Sequence, residues 1–101
     1  MPNLRHLPDG WVVKEPLHLC VIEESDSAYA FMVSDNVEGM GFWGLGDTIT
    51  EAMDDYGDTI TEMYEFCEQD AADGDEWAIE QLAQIERYIG RGDNAKTNDD
   101  R

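Results

Sequence analysis

Residues 48–69, TITEAMDDYGDTITEMYEFCEQ, decide the fold of this chain. Thr48 and Glu51 give the T-x-x-E pattern of a capping box, which satisfies unpaired backbone N–H groups where a helix begins. Behind them, apolar residues recur at the spacing of one helical face, namely Ile49, Ala52, Met53, Tyr56, Ile60, Met63, Tyr64 and Cys67. We predict one amphipathic helix over residues 49–69. In the alternative, the helix breaks at Gly57 and the second copy of GDTITE caps a new one.

Three short strands precede this helix. Leu17–Glu24 alternates apolar and polar residues, Ala28–Ser34 returns after a Ser-Asp-Ser turn, and Gly41–Leu45 is a brief third strand. Pro16 cuts off Trp11–Val13, which can be an edge strand at best because proline cannot donate to a sheet ladder. Alternation in the first strand predicts one face of Leu17, Leu19 and Val21.

A second helix is predicted over residues 76–89, capped by Asp73 or Asp75 and stopped by Gly90. A chain of 101 residues can build one core. The predicted class is α+β: a small antiparallel three-stranded sheet packed by the long helix, plus the C-terminal helix. We predict that the single domain spans residues 11–90. Residues 1–10 are interpreted as a flexible lead-in and residues 91–101 as a disordered tail, because neither carries a periodic apolar face.

The charge balance restricts the partners. The chain has 24 acidic and 6 basic residues, a net charge of −18, and no lysine or arginine between Glu15 and Glu86. Such a field repels phosphate backbones and anionic membrane surfaces, so we expect neither direct nucleic-acid binding nor membrane binding. A basic protein is the natural partner, since complementary charge steers encounter. A salt-adapted host would explain the same composition without any partner.

No catalytic or metal-binding pattern stands out. The two histidines, His6 and His18, lack convergent partners, and the acidic clusters do not match a calcium loop. Cys20 and Cys67 lack metal-ligand spacing and are interpreted as buried small hydrophobes in a reduced cytoplasmic setting. No apolar run is long enough for a membrane span, and Met1–Gly10 lacks the apolar block of a secretory signal. We expect no enzyme, no cofactor and no metal.

The outer face of the long helix is the candidate site. Its carboxylates follow one another at helical spacing, and like charges at i,i+4 each cost a few tenths of a kcal/mol. Either a cationic partner or high salt must balance them. Phe42 and Trp43 can supply apolar anchors beside this face, or can close the core beneath the helix. The predicted partner-binding residues are Glu51, Asp54, Asp55, Asp58, Glu62, Glu65, Phe42 and Trp43.

Residues 17–68 also resemble a known family. The elements in chain order are a strand with an acidic turn (Val21–Ser27), an aromatic-containing strand (Ala28–Val33), a loop (Val37–Gly41) and the G-D-T-x-x-E-A helix start within Leu45–Met53. This order and these motifs resemble the pattern of the HicB-like antitoxin domain. The departures are Glu38 in place of the family's loop proline, a helix where the family adds a fourth strand, and no basic DNA-binding segment.

The resemblance implies a partial ribonuclease-H-like fold and a function in a toxin–antitoxin system. Family members neutralise a small basic RNA-cleaving toxin by covering its surface and active site. The leading hypothesis is therefore an acidic inhibitor of a basic toxin nuclease or other nucleic-acid enzyme, with a homodimer also permitted. One alternative is a phage-encoded nucleic-acid mimic, such as an anti-CRISPR or anti-restriction protein. Another is an acidic structural domain of a salt-adapted host.

Overall fold

The computed structural model describes residues 3–4, 7–24 and 28–92. It shows the predicted α+β class, with a three-stranded sheet, a long helix packed on it and a second helix. In chain order the elements are β1 (Trp11–Val13), β2 (Leu19–Glu23), β3 (Phe31–Asp35), β4 (Trp43–Gly46), α1 (Ile49–Ala72), α2 (Glu76–Tyr88) and β5 (Ile89–Arg91).

The three-stranded sheet is antiparallel in the order β2-β3-β4. Val33 in the central strand lies opposite Val21 on one side and Gly44 on the other. β2 begins at Leu19, two residues after the predicted start at Leu17, but the predicted face is confirmed: Leu17 and Leu19 are buried and Val21 is half-buried. Because α1 packs on β3 and β4, this face and the buried side of α1 form the core.

Helix α1 is continuous, so the alternative break at Gly57 is wrong. Gly57 is buried within the helix, and the predicted apolar stripe supplies the buried residues Ala52, Tyr56, Ile60, Tyr64 and Cys67. The Thr48 side chain accepts a hydrogen bond from the Glu51 backbone N–H at 3.0 Å, as the capping box predicts. The Glu51 carboxylate accepts from the backbone N–H of Asp47, one residue earlier than the usual partner.

Thr48→Ala should lower the free energy of unfolding by about 1 kcal/mol, because the helix loses the acceptor for one of its unpaired N–H groups. Thr59→Ala is the matched control, since the Thr59 hydroxyl only bonds back to the Asp55 carbonyl within α1. Urea unfolding of both variants measures the difference. Equal stability of the two would show that the cap contributes nothing.

Two glycines let the sheet touch the helix backbone. A Cβ atom at Gly44 would lie under 3.0 Å from Ala52 O and Tyr56 N, and one at Gly46 would overlap Ala52 N. Since these contacts are with backbone atoms, no side-chain movement can relieve them. The two glycines therefore set how closely β4 approaches α1.

A second sheet has two strands, β1 and β5. β1 and β5 pair antiparallel, with Trp11 opposite Arg91 and Val12 opposite Gly90. Asp75 caps α2, accepting from the Ala78 N–H, and α2 ends at Tyr88. Gly90, interpreted as a helix stop, is thus a strand residue. Within the described ranges no helix is long and apolar enough to cross a membrane.

The described parts of both terminal segments contact the domain. Leu4 is buried, and its N–H donates to the Leu17 carbonyl at 2.8 Å. Arg91 belongs to β5, and the Gly92 N–H donates to the Gly10 carbonyl at 2.8 Å. Isolated apolar residues such as Leu4 form no periodic pattern, so the lead-in interpretation overlooked them. The rest of the predicted tail, residues 93–101, lies outside the described residues.

Candidate protein-binding site

The predicted carboxylates of α1 all point to solvent. We call them the acidic face: Glu51, Asp54, Asp55, Asp58, Glu62 and Glu65 are each exposed. They lie opposite the buried stripe because both sets follow the helical period. The structure therefore places the six together on one side of α1, as the sequence predicted.

Arg91 neutralises one end of this face. Its guanidinium lies 2.8 Å from the Glu68 carboxylate and 3.7 Å from that of Glu65. It also lies over the Trp11 ring at 4.6 Å and the Tyr64 ring at 5.5 Å. The hydrogen bond that Arg91 donates to the Glu68 carboxylate is the main cause that raises the pKa of Arg91. Glu65 is therefore already ion-paired within the chain.

The middle of the acidic face has no such compensation from any described residue. Among the described residues, Asp54, Asp58 and Glu62 make neither an ion pair nor a side-chain hydrogen bond. The other described cations are remote: Arg87 pairs with Glu15 at 3.4 Å, and the Lys14 side chain lies beside Gly90. Within the described ranges, the uncompensated negative charge is thus concentrated over residues 54–62 of α1.

Phe42 and Trp43 have different environments. Phe42 is half-buried and packs against the core, which agrees with the alternative that it closes the core beneath the helix. Trp43, in contrast, is 57% exposed. Together with Met40 they form one wall of an open groove of about 480 Å³, and α1 supplies the other wall. The lining side chains from α1 are Asp55, Thr59 and Met63. Asp55 therefore joins the acidic face to the aromatic pair.

Asp55 also protects the edge of the sheet. Its carboxylate accepts a hydrogen bond from the Leu45 N–H of β4 at 2.9 Å. β4 is an edge strand, and a free edge N–H group would invite pairing with another chain. This contact holds Asp55 at the groove and blocks strand addition at Leu45.

A buried carboxylate that the sequence interpretation missed holds the groove wall. Asp35 is 2% exposed and accepts hydrogen bonds from the backbone N–H groups of Val37, Gly41 and Phe42 and from the Tyr56 hydroxyl at 2.6 Å. Burial, together with this bond, raises the pKa of Tyr56, so the phenol remains a donor. The Asp-Asn pair before a glycine-containing loop is typical of such side-chain-to-backbone turns and was the available signal.

The remaining candidates for chemistry are dispersed. Across the described ranges, no group of three or more His, Cys, Asp or Glu residues is placed to hold a metal ion. Cys67 is buried, as predicted, and burial raises the pKa of its thiol. Cys20 is half-buried and accepts a hydrogen bond from the Asn36 amide. His18 is exposed, and His6 lies outside the described residues.

Comparison of the chain with protein-family models, curated proteins and solved structures finds no match. The HicB-like resemblance therefore rests on the sequence motifs alone.

Proposed function

We propose that this chain is a cytoplasmic, acidic protein-binding inhibitor that docks the acidic face on the basic surface of a nucleic-acid enzyme. The observation that carries the proposal is that Asp54, Asp58 and Glu62, on the exposed side of α1, have no ion-pair partner among the described residues. The same helix pairs Glu65 and Glu68 with Arg91, whereas no described residue neutralises the carboxylates in the middle of the acidic face.

Electrostatics favour a basic protein over other partners. With a net charge of −18, the chain repels nucleic acid that approaches the acidic face. A cationic surface would relieve the repulsion between neighbouring carboxylates of α1, which adds a favourable contribution to binding. Enzymes that bind nucleic acid present such a surface at the active site, which an acidic protein can cover.

The HicB-like motifs favour one kind of target. If the chain acts as these motifs imply, the target is a small basic toxin that cleaves RNA, and binding covers its active site. The absence of a basic segment between Glu15 and Glu86 supports inhibition by protein contact rather than regulation through DNA.

A capture experiment tests this function. The tagged chain is used to capture binding partners in its native host. The captured protein is then identified by mass. We expect a basic nuclease whose RNA cleavage falls in proportion to added chain until one chain is present per enzyme. A partner without a basic surface, or an enzyme that cleaves normally when saturated, would contradict the proposal.

A further inference from the structure

The groove beside Trp43 continues along α1 as an apolar strip. Thr59 and Met63 line the groove, and Phe66 follows at the next helical position on the same side. Phe66 is 53% exposed and Trp43 is 57% exposed, so two large aromatic side chains face solvent, one in β4 and one in α1. Exposed aromatic side chains beside an open groove, bordered by polar residues, are typical of interaction sites.

The strip has the composition of a binding hot spot. Trp43 is a large amphipathic anchor, and the flexible thioethers of Met40 and Met63 can adapt to an inserted side chain. Asp35 fixes the loop that carries Met40 through its hydrogen bonds to Gly41 and Phe42. The wall is therefore preorganised, which lowers the conformational cost of binding.

The negative charge beside the groove determines which kind of ligand can bind there. Asp55 lies in the groove wall, and Glu51, Asp58 and Glu62 are its neighbours at helical spacing on the acidic face. The described cations Lys14, Arg87 and Arg91 make their contacts elsewhere. A second copy of this chain would bring its own charge of −18 toward these carboxylates, and an anionic membrane would be repelled in the same way.

We infer that the groove and strip receive an amphipathic basic segment of the protein partner. Its apolar residues insert between Trp43 and Met63, and its lysine or arginine side chains pair with Asp55 and Glu62. The spacing of Thr59, Met63 and Phe66 matches one face of a helix, so a partner helix can lie along α1. The inference rests on the proposed function and specifies the chemistry of the docked segment.

Two synthetic peptides of identical composition test the inference with the full-length chain. Both have about four helical turns of leucine, lysine and arginine. In the patterned peptide the leucines recur at i, i+4, i+7 and i+11 and share one face, whereas in the scrambled peptide they do not. Because the two peptides carry equal charge, their difference in affinity isolates the apolar contact. Titration calorimetry measures the affinity, and backbone amide chemical shifts locate the bound peptide.

The patterned peptide should bind about tenfold tighter than the scrambled one, since a single aromatic anchor often supplies this much. Trp43→Ser should remove that difference. Trp77→Ser is the matched control and should retain the difference, because Trp77 is similarly exposed, at 53%, but lies on α2. Asp55→Asn keeps an acceptor for the Leu45 N–H while removing the charge, and it should weaken both peptides.

Equal binding of the two peptides by the parent chain would overturn the inference, as would a difference that survives Trp43→Ser or binding of neither peptide. The proposed function is judged separately, by inhibition of the captured enzyme. Charge-dependent binding of both peptides without a preference would refute the groove as a docking site and leave the acidic face as the binding surface.

Discussion

Gly44→Ala should remove most of the stability of this domain. The added Cβ would overlap the Ala52 carbonyl oxygen and the Tyr56 amide nitrogen of α1, so the sheet and the helix must separate. Overpacking against side chains costs about 1–3 kcal/mol, and a clash between two backbones has fewer ways to relax. We expect a loss of more than about 3 kcal/mol, which is a large part of the 5–15 kcal/mol typical of small domains.

Gly90→Ala is the matched control for this prediction. Gly90 is also a strand glycine, but its added Cβ would meet only the flexible end of the Lys14 side chain at 3.0 Å. That variant should remain within about 1 kcal/mol of the parent, because the lysine can move aside. Urea unfolding followed by circular dichroism measures both variants. Similar stability of Gly44→Ala and Gly90→Ala would show that the close approach of β4 and α1 does not matter.

Asp35→Asn should produce the second large effect. The carboxylate accepts from three backbone N–H groups and the Tyr56 hydroxyl, and an amide would place its NH₂ group against some of these donors. Hydrogen bonds to a buried charged group are each worth about 1.5–3 kcal/mol. We expect the free energy of unfolding to fall by about 2–4 kcal/mol, and the loop over residues 36–42 to lose its order.

Tyr56→Phe separates the contribution of the hydroxyl from that of the loop. This variant removes one donor and leaves the three backbone contacts to Asp35. It should cost about 1–2 kcal/mol while the loop amides stay protected from hydrogen exchange. Exchange rates of the Gly41 and Phe42 amides in the two variants are the decisive measurement. Fully protected amides in Asp35→Asn would contradict the assigned role of Asp35.

The local signals in the sequence predicted the fold well. The capping residue Thr48, the buried stripe of α1 and the face of β2 each depend on neighbouring residues, and all three are present. Strand ends are less local: β3 begins at Phe31, three residues after the predicted start at Ala28. Strand limits shift because pairing with β2 and β4, not the sequence of β3 alone, decides where the ladder begins.

The features that the sequence did not reveal depend on distant contacts. β5 has three residues and forms only because β1 pairs with it, while Gly90 in isolation is typical of a helix end. Burial of Asp35 requires a tyrosine 21 residues away. The sequence predicted the residues of the acidic face but not that Glu65 is paired with Arg91. That pairing could not be predicted because the β1–β5 sheet positions the arginine.

The acidic face is most directly tested by replacing its central charges. A face variant combines Asp54→Asn, Asp55→Asn, Asp58→Asn and Glu62→Gln. A control variant combines Glu23→Gln, Glu24→Gln, Glu76→Gln and Glu80→Gln, which are exposed carboxylates outside α1. Both variants lose the same number of negative charges, so they differ only in where on the surface the charges are removed. The face variant should unfold no more easily than the parent, because repulsion along α1 decreases.

The central claim is that the acidic face binds a basic partner, and the rate of association with the captured enzyme measures it. At low salt the face variant should associate roughly tenfold more slowly than the control variant, because charges at the contact steer encounter. At high salt the gap should shrink, since screening acts over about 8–10 Å near physiological ionic strength. Equal rates for the two variants at both salt concentrations would contradict the claim and remove α1 from the interface.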